Sequence, residues 1–251
     1  MQIKNLLYNN TVELLFEQFH HKYTVEGEPI PSVTGILSII NKPMLVNWAA
    51  NVAVEAIAEK LKPGISFDEI QIGEMLETAR KAPYQKKKDA GAIGTIVHQW
   101  VEDYIHGKNP PIPVNEGIRK SVEQFLSWVS IYNVKFLCSE QMIYSKQYKY
   151  TGTLDFICQI DGKLYIGDLK TSKGIYNEYF IQTAAYRYAR TEEFPQEQFA
   201  GQIIIRVGKD GEFERGIIRD DSMYRKMFDG FIAAKNLAAT MKKLEDWKPE
   251  K

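Results

Sequence analysis

Cysteine is nearly absent. Cys138 and Cys158 are the only two in the chain, too few for a disulfide framework or for a four-cysteine zinc or iron–sulfur site. An excess of either charge is missing as well: 32 basic residues face 32 acidic ones. A uniformly basic coat for nucleic acid is therefore excluded, and any such contact must come from local patches. No stretch approaches the roughly 20 apolar residues that span a bilayer. Met1-Gln2-Ile3-Lys4-Asn5 lacks a basic segment followed by a sustained apolar run, so no membrane partner and a cytoplasmic location are expected. Histidine is sparse, and the adjacent His20 and His21 face different ways on either a helix or a strand.

What is present is ordinary globular material. With 251 residues, 44% hydrophobic and 25% charged, the chain is long enough for one substantial α/β core with an elaborated end. Its most informative stretch runs from Tyr150 to Ser172. Thr153, Phe156, Ile157 and Ile160 lead into Asp161-Gly162, and Leu164, Tyr165 and Ile166 follow, the pattern of a two-residue β-hairpin. Asp155 lies six residues before Asp161 and Asp168 six after Gly162, so antiparallel pairing sets the two acids opposite each other on one face. Carboxylates that close repel unless a cation sits between them, and Mg²⁺ or Mn²⁺ takes such oxygen ligands together with water and substrate phosphate. Lys170, two residues beyond Asp168, falls on the same face. There an ammonium can hold an attacking water or neutralise charge developing on phosphate.

The remaining elements read as follows. Residues 1–28 alternate weakly, and Tyr23, Val25 and the Glu26-Gly27 pair suggest a short hairpin there. Ser32 or Thr34 caps an apolar helix after Pro31. A second helix runs from about Leu45 to Leu61 and carries Trp48, either a stacking platform for an unpaired base or a packing anchor. Arg80, Lys81, Lys86, Lys87 and Lys88 gather positive charge, either a solvated helix face or a patch that tracks phosphates. Ile93 to His106 is helical, with His98 and Glu102 one turn apart on one face. Residues 115–132, 176–190 and 222–244 are further helices. Strands are expected at 136–144, and at 202–207 and 212–218 around a second hairpin. Arg206 on that hairpin either points towards nucleic acid or is held in an ion pair.

Gly152-Thr153-Leu154-Asp155, Asp168-Leu169-Lys170-Thr171-Ser172 and Gln182-Thr183-Ala184-Ala185-Tyr186 resemble the RecB-like branch of the PD-(D/E)XK nuclease superfamily. Pro31-Ser32-Val33-Thr34 and the Gly-Thr-x-x-His segment ending at His98 are similar to its other motifs. The resemblance implies an α/β, restriction-endonuclease-like core with a mixed central sheet flanked by helices over residues 91–251, preceded by an N-terminal helical elaboration over 1–90. It implies a DNA nuclease of little sequence specificity in which His98, Asp155, Asp168 and the Leu169 carbonyl hold Mg²⁺ or Mn²⁺, and Lys170 serves the attacking water. Gln182 and Tyr186 would orient the site or contact phosphate, and Glu102 and Glu140 would support it. Thr171, Arg206, Trp48, Lys86, Lys87 and Lys88 are the expected substrate contacts. An exonuclease on single-stranded DNA ends is expected, in a bacterium or a phage-infected cell, working beside replication or recombination proteins and without an iron–sulfur cluster. A structure-specific endonuclease and a non-catalytic DNA-binding accessory are the alternatives.

Overall fold

A computed structural model describes residues 2–40, 42–245 and 247. The chain opens with four short strands, β1 (Gln2–Leu7), β2 (Val12–Glu17), β3 (Lys22–Val25) and β4 (Glu28–Ile30), forming an antiparallel meander in sequence order. Glu26 and Gly27 both take positive φ, 52° and 85°, the sense that matches the twist of a two-residue hairpin. Val12, Leu14, Tyr23 and Val25 point inwards along these strands. The helical elaboration expected over 1–90 is thus β-structured up to Ile30. The weak period-two alternation of residues 2–25 is the signal that decides this.

After β4 comes α1 (Val33–Leu37), capped by Ser32, whose side chain accepts from the Gly35 N–H. Two compact units emerge: Met1–Ile40 with Val97–Lys251, and Asn41–Ile96. The Asn41–Ile96 unit holds α2 (Pro43–Ala58) and the greater part of α3 (Glu69–Ile105). Val52 and Ala79 are its buried positions among the described residues, and a Glu55–Lys86 ion pair of 3.1 Å joins the two helices. The expected short helix starting near Ile93 is therefore the last part of a 37-residue helix that continues through Pro83. Ala, Lys, Gln and Glu dominate residues 74–90, and these strong helix formers offset the one backbone donor that proline removes.

The larger unit continues with α4 (Glu116–Ile131), β5 (Lys135–Ser145), β6 (Tyr150–Ile160), β7 (Lys163–Lys170), α5 (Asn177–Glu193), β8 (Phe199–Val207), β9 (Phe213–Ile218) and α6 (Asp221–Glu245). These five strands form a second sheet in the order β5-β6-β7-β8-β9, antiparallel except for the β7–β8 pair. A parallel neighbour needs a crossover, which α5 supplies. The fold is α/β, with a central mixed sheet flanked by helices. Adjacent residues of β6 show both faces covered. Ile157 joins the cluster formed with Val33, Ala185 and Phe231 of α1, α5 and α6, whereas the Phe156 ring meets Trp128 of α4 and Phe136. Gly167 is required opposite Phe156, because a Cβ there would fall 1.9 Å from its ring.

Candidate metal centre

The hairpin forms in the expected register. Asp161 and Gly162 turn with φ of 50° and 74°, and pairing runs from Ile160↔Lys163 to Phe156↔Gly167. The next step along both strands sets Asp155 opposite Asp168. Asp155 Oδ2 accepts a 2.7 Å hydrogen bond from the Leu169 N–H, which fixes the carboxylate. His98 Nδ1 from α3 lies 3.7 Å from the same oxygen.

Glu140 completes a group not foreseen as such. One ligand atom from each of His98, Glu140 and Asp155 can be chosen so that all lie within 4.8 Å of one another, and such a group could hold a metal ion. Flanking pairs Ser139↔Phe156 and Gln141↔Leu154 bracket Glu140 opposite Asp155, downstream of a register shift between Phe136 and Cys138. Its own backbone is left-handed, φ 47°, a conformation costly for a side chain with a Cβ and frequent at functional sites. Desolvation first, then the Asp155, Glu102 and Asp168 carboxylates, push the Glu140 carboxyl up to about 8. Glu140 is exposed by surface area, so of these causes the neighbouring negative charges are the firmer one. A cleft of about 430 Å³ between β1 and β5, lined by Asn5, Ser139 and Gln141 among others, reaches Glu140.

Asp168 is fully buried. Lys170 Nζ lies 2.6 Å from its Oδ2, yet neither oxygen has a hydrogen bond of good geometry. Burial raises the Asp168 carboxyl above its ordinary range, and Asp155 adds to this while Lys170 opposes it. For Lys170, burial works against the charge, but Asp168 and Asp155 together outweigh it, so the ammonium is held protonated. Its Nζ also lies 4.9 Å from the ring centroid of Tyr179. On α5, the Gln182 side chain donates to Tyr186 Oη at 2.9 Å, both being buried. Burial and then the Asp168 and Asp155 charges keep the Tyr186 phenol protonated. Gly152 makes room for that ring, since a Cβ would lie 2.8 Å from Tyr186 Cε1.

His98, Asp155, Asp168, Lys170, Gln182 and Tyr186 therefore lie in one unit, around the middle of β6 and the end of β7. Leu169 contributes its N–H to Asp155. Glu102 is held by Gln99 at 3.1 Å and stands near enough to raise Glu140. Thr171 is half-buried just past Lys170. Arg206 corrects one expectation. It is 2% exposed, donates to the Ser172 carbonyl at 2.7 Å, and is ion-paired with Asp210, Glu212 and Glu214. The ion-pair reading holds, and its donors are engaged by these four groups. Trp48, half-buried, and Lys86, Lys87 and Lys88, exposed, belong to the Asn41–Ile96 unit. There Arg80 and Lys81 pair with Glu77 and Lys86 with Glu55, which reduces the free charge of the basic run. Glu140 was hard to place from sequence because its position opposite Asp155 depends on the register shift at 136–138.

No protein-family model matches the chain, and no curated protein does. Among solved structures it is similar to that of a protein provisionally named an exonuclease, from Eubacterium rectale, with 18% identity and a TM-score of 0.41 over 63% of this chain and 70% of that one. It is also similar to SSO0001, with 15% identity and a TM-score of 0.32 over 76% and 86% of the two chains. At such distances neither likeness carries a functional argument, which has to come from the chain's own residues. No helix among the described residues is long and apolar enough to cross a membrane.

Proposed function

We propose that the protein is a divalent-metal-dependent deoxyribonuclease built on a RecB-like, PD-(D/E)XK-type core. The observation that carries this reading is the meeting of His98, Glu140 and Asp155 ligand atoms within 4.8 Å, beside the hairpin strand that pairs Lys170 with the buried Asp168. A cation suits these residues, because Asp155 and Glu140 crowd negative charge beside the buried Asp168, and the Lys170 ammonium is already engaged by Asp168 at 2.6 Å. His98, Asp155 and Glu140 would hold it with Asp168 and the Leu169 carbonyl, and carboxylate-rich donors favour Mg²⁺ or Mn²⁺. Such an ion supplies Lewis-acid polarisation of the phosphodiester and a more acidic water.

The protein's own groups do the rest. The Leu169 N–H holds the Asp155 carboxylate in one orientation, so little reorganisation is needed when substrate arrives. Lys170, kept protonated by Asp168, meets the negative charge that grows on the phosphate oxygens. The Gln182 side chain holds the hydroxyl of Tyr186, whose ring packs on the Gly152 backbone. Contacts directed at backbone phosphate imply little sequence specificity. Action at single-stranded DNA ends, in replication, recombination or repair, is the finer proposal, supported by the likeness of the motif series to end-processing nucleases. The Asn41–Ile96 helices are then an elaboration of the nuclease core.

End-labelled linear and closed circular DNA, each single- and double-stranded, tests both levels. Linear single strands should be degraded with Mg²⁺ or Mn²⁺, and neither with EDTA nor by Asp155→Asn. Cleavage that survives EDTA or the substitution overturns the nuclease centre. Binding without cleavage in any metal favours the accessory alternative, and circles cut as fast as linear strands overturn the preference for ends.

A further inference from the structure

The segment between Lys170 and α5 is unusually well fixed for a surface connection. Arg206 Nε donates to the Ser172 carbonyl at 2.7 Å, and Ser172 Oγ donates to the Gly174 carbonyl at 2.8 Å. Tyr176 follows in an extended conformation, φ −109° and ψ 150°, and the Tyr179 N–H closes the first turn on its carbonyl at 3.0 Å. The Tyr176 and Tyr179 rings meet edge to face, centroids 5.5 Å apart and planes 78° apart. Tyr179 is the ring beside the Lys170 ammonium. Tyr176 lies one ring further out and is 44% exposed.

An exposed tyrosine needs no explanation by itself. Here, however, its neighbours pin the backbone, brace the ring from the side and connect it to the lysine of the metal centre. We propose that Tyr176, braced by Tyr179, is the stacking face for one unpaired nucleobase next to the phosphate bound at that centre. This rests on the nuclease reading. An aromatic face accepts any base, because every base has a π-face. Bases inside a duplex are already stacked on both sides and cannot use it. A pre-fixed ring also loses little conformational entropy on binding. Discrimination in favour of single strands would then reside in the α/β core itself, through a residue within the unit that holds Asp155 and Lys170.

The test is binding of a single-stranded oligonucleotide and its duplex to the full-length protein in Ca²⁺, an oxygen-seeking ion used here as the binding probe. Tyr176→Leu keeps apolar bulk without a stacking face, and Tyr176→Phe keeps the face without the hydroxyl. The leucine variant should lose about tenfold in single-strand affinity, the lower part of the range for one stacked base. Duplex affinity should change less than about twofold, and the phenylalanine variant should match wild type. A 2-aminopurine in the strand should be quenched by wild type and by Tyr176→Phe but not by Tyr176→Leu. Equal losses on both substrates, or single-strand affinity unchanged in Tyr176→Leu, overturn the stacking face. If the wild-type protein neither binds nor cuts single strands, the nuclease reading falls first and the stacking face with it.

Discussion

Asp155 offers the sharpest separation between a structural acid and a metal-binding one. Asp155→Ala strips the acceptor from the Leu169 N–H, now 2.7 Å from Oδ2, and a stranded buried donor costs about 1–3 kcal/mol. Asp155→Asn keeps an oxygen in that place and removes only the charge. Two unit charges 4.8 Å apart, the spacing that bounds the Asp155 and Glu140 ligand atoms, repel by about 3.5 kcal/mol at an effective dielectric constant of about 20. Solvent at the exposed Glu140 reduces this to about 1–2 kcal/mol, and the lost attraction to Lys170 takes back a part. At pH 8.5, where most Glu140 carboxyls are ionised, the metal-free Asn variant should therefore be more stable than wild type by about 1 kcal/mol. The Ala variant should fall below Asn by about 1–2 kcal/mol. With Mg²⁺ at a hundred times its dissociation constant, wild type gains about 2.7 kcal/mol and a variant that cannot bind gains nothing, so the order of wild type and Asn inverts. Urea unfolding in EDTA and in Mg²⁺ measures all of this. Equal Mg²⁺ stabilisation of wild type and Asp155→Asn would refute Asp155 as a ligand.

Glu140 gives a pH-dependent counterpart. Its folded-state carboxyl is raised from an ordinary value of 4.5 to about 8, so its contribution to metal-free stability is complete below the ordinary value and is lost as pH rises through about 8. Glu140→Gln should flatten that decline in urea midpoints between pH 5 and 9, and an unchanged slope assigns it to other groups. Metal binding needs the carboxylate, so calorimetry should find tighter Mn²⁺ binding at pH 8 than at pH 6, with protons released to buffer. Gly152→Ala drives a methyl to 2.8 Å from Tyr186 Cε1; overpacking of this kind costs about 1–3 kcal/mol, and both the melting temperature and cleavage should fall. Arg206→Leu leaves Asp210, Glu212 and Glu214 without their shared partner, but these acids are substantially exposed. The loss should be about 1–2 kcal/mol, visible in thermal unfolding, while an undisturbed midpoint would mean that the network contributes no net stability.

Local sequence was sufficient for the hairpin. An Asp-Gly pair between two β-prone runs permits one tight turn, and counting six residues outwards on each side placed Asp155 against Asp168 and Lys170 beside Asp168. The helices from 116 onwards were legible for a related reason, because their apolar spacing matches the faces that pack on the sheet. Residues 1–30 were harder, since short strands with weak alternation acquire their definition only by pairing. In α3 local propensity beat the usual boundary signals, and a helix expected to begin near Ile93 runs from Glu69.

Non-local geometry decided the rest. Glu140 could be brought opposite Asp155 only by a register shift and a left-handed backbone that no spacing rule reveals. Arg206 had two open readings until folding placed three acids and the Ser172 carbonyl around its guanidinium. Tyr176 and Tyr179 drew no notice as residues of a helix start, and acquired meaning from the approach of Lys170 to one of them. The sequence by itself determined the turn, the strand periods and which acids share a hairpin, because those depend on bonds and neighbours a few residues apart. Which side chains face a common charge was decided only in the tertiary structure, since that depends on how separate elements close around a buried carboxylate.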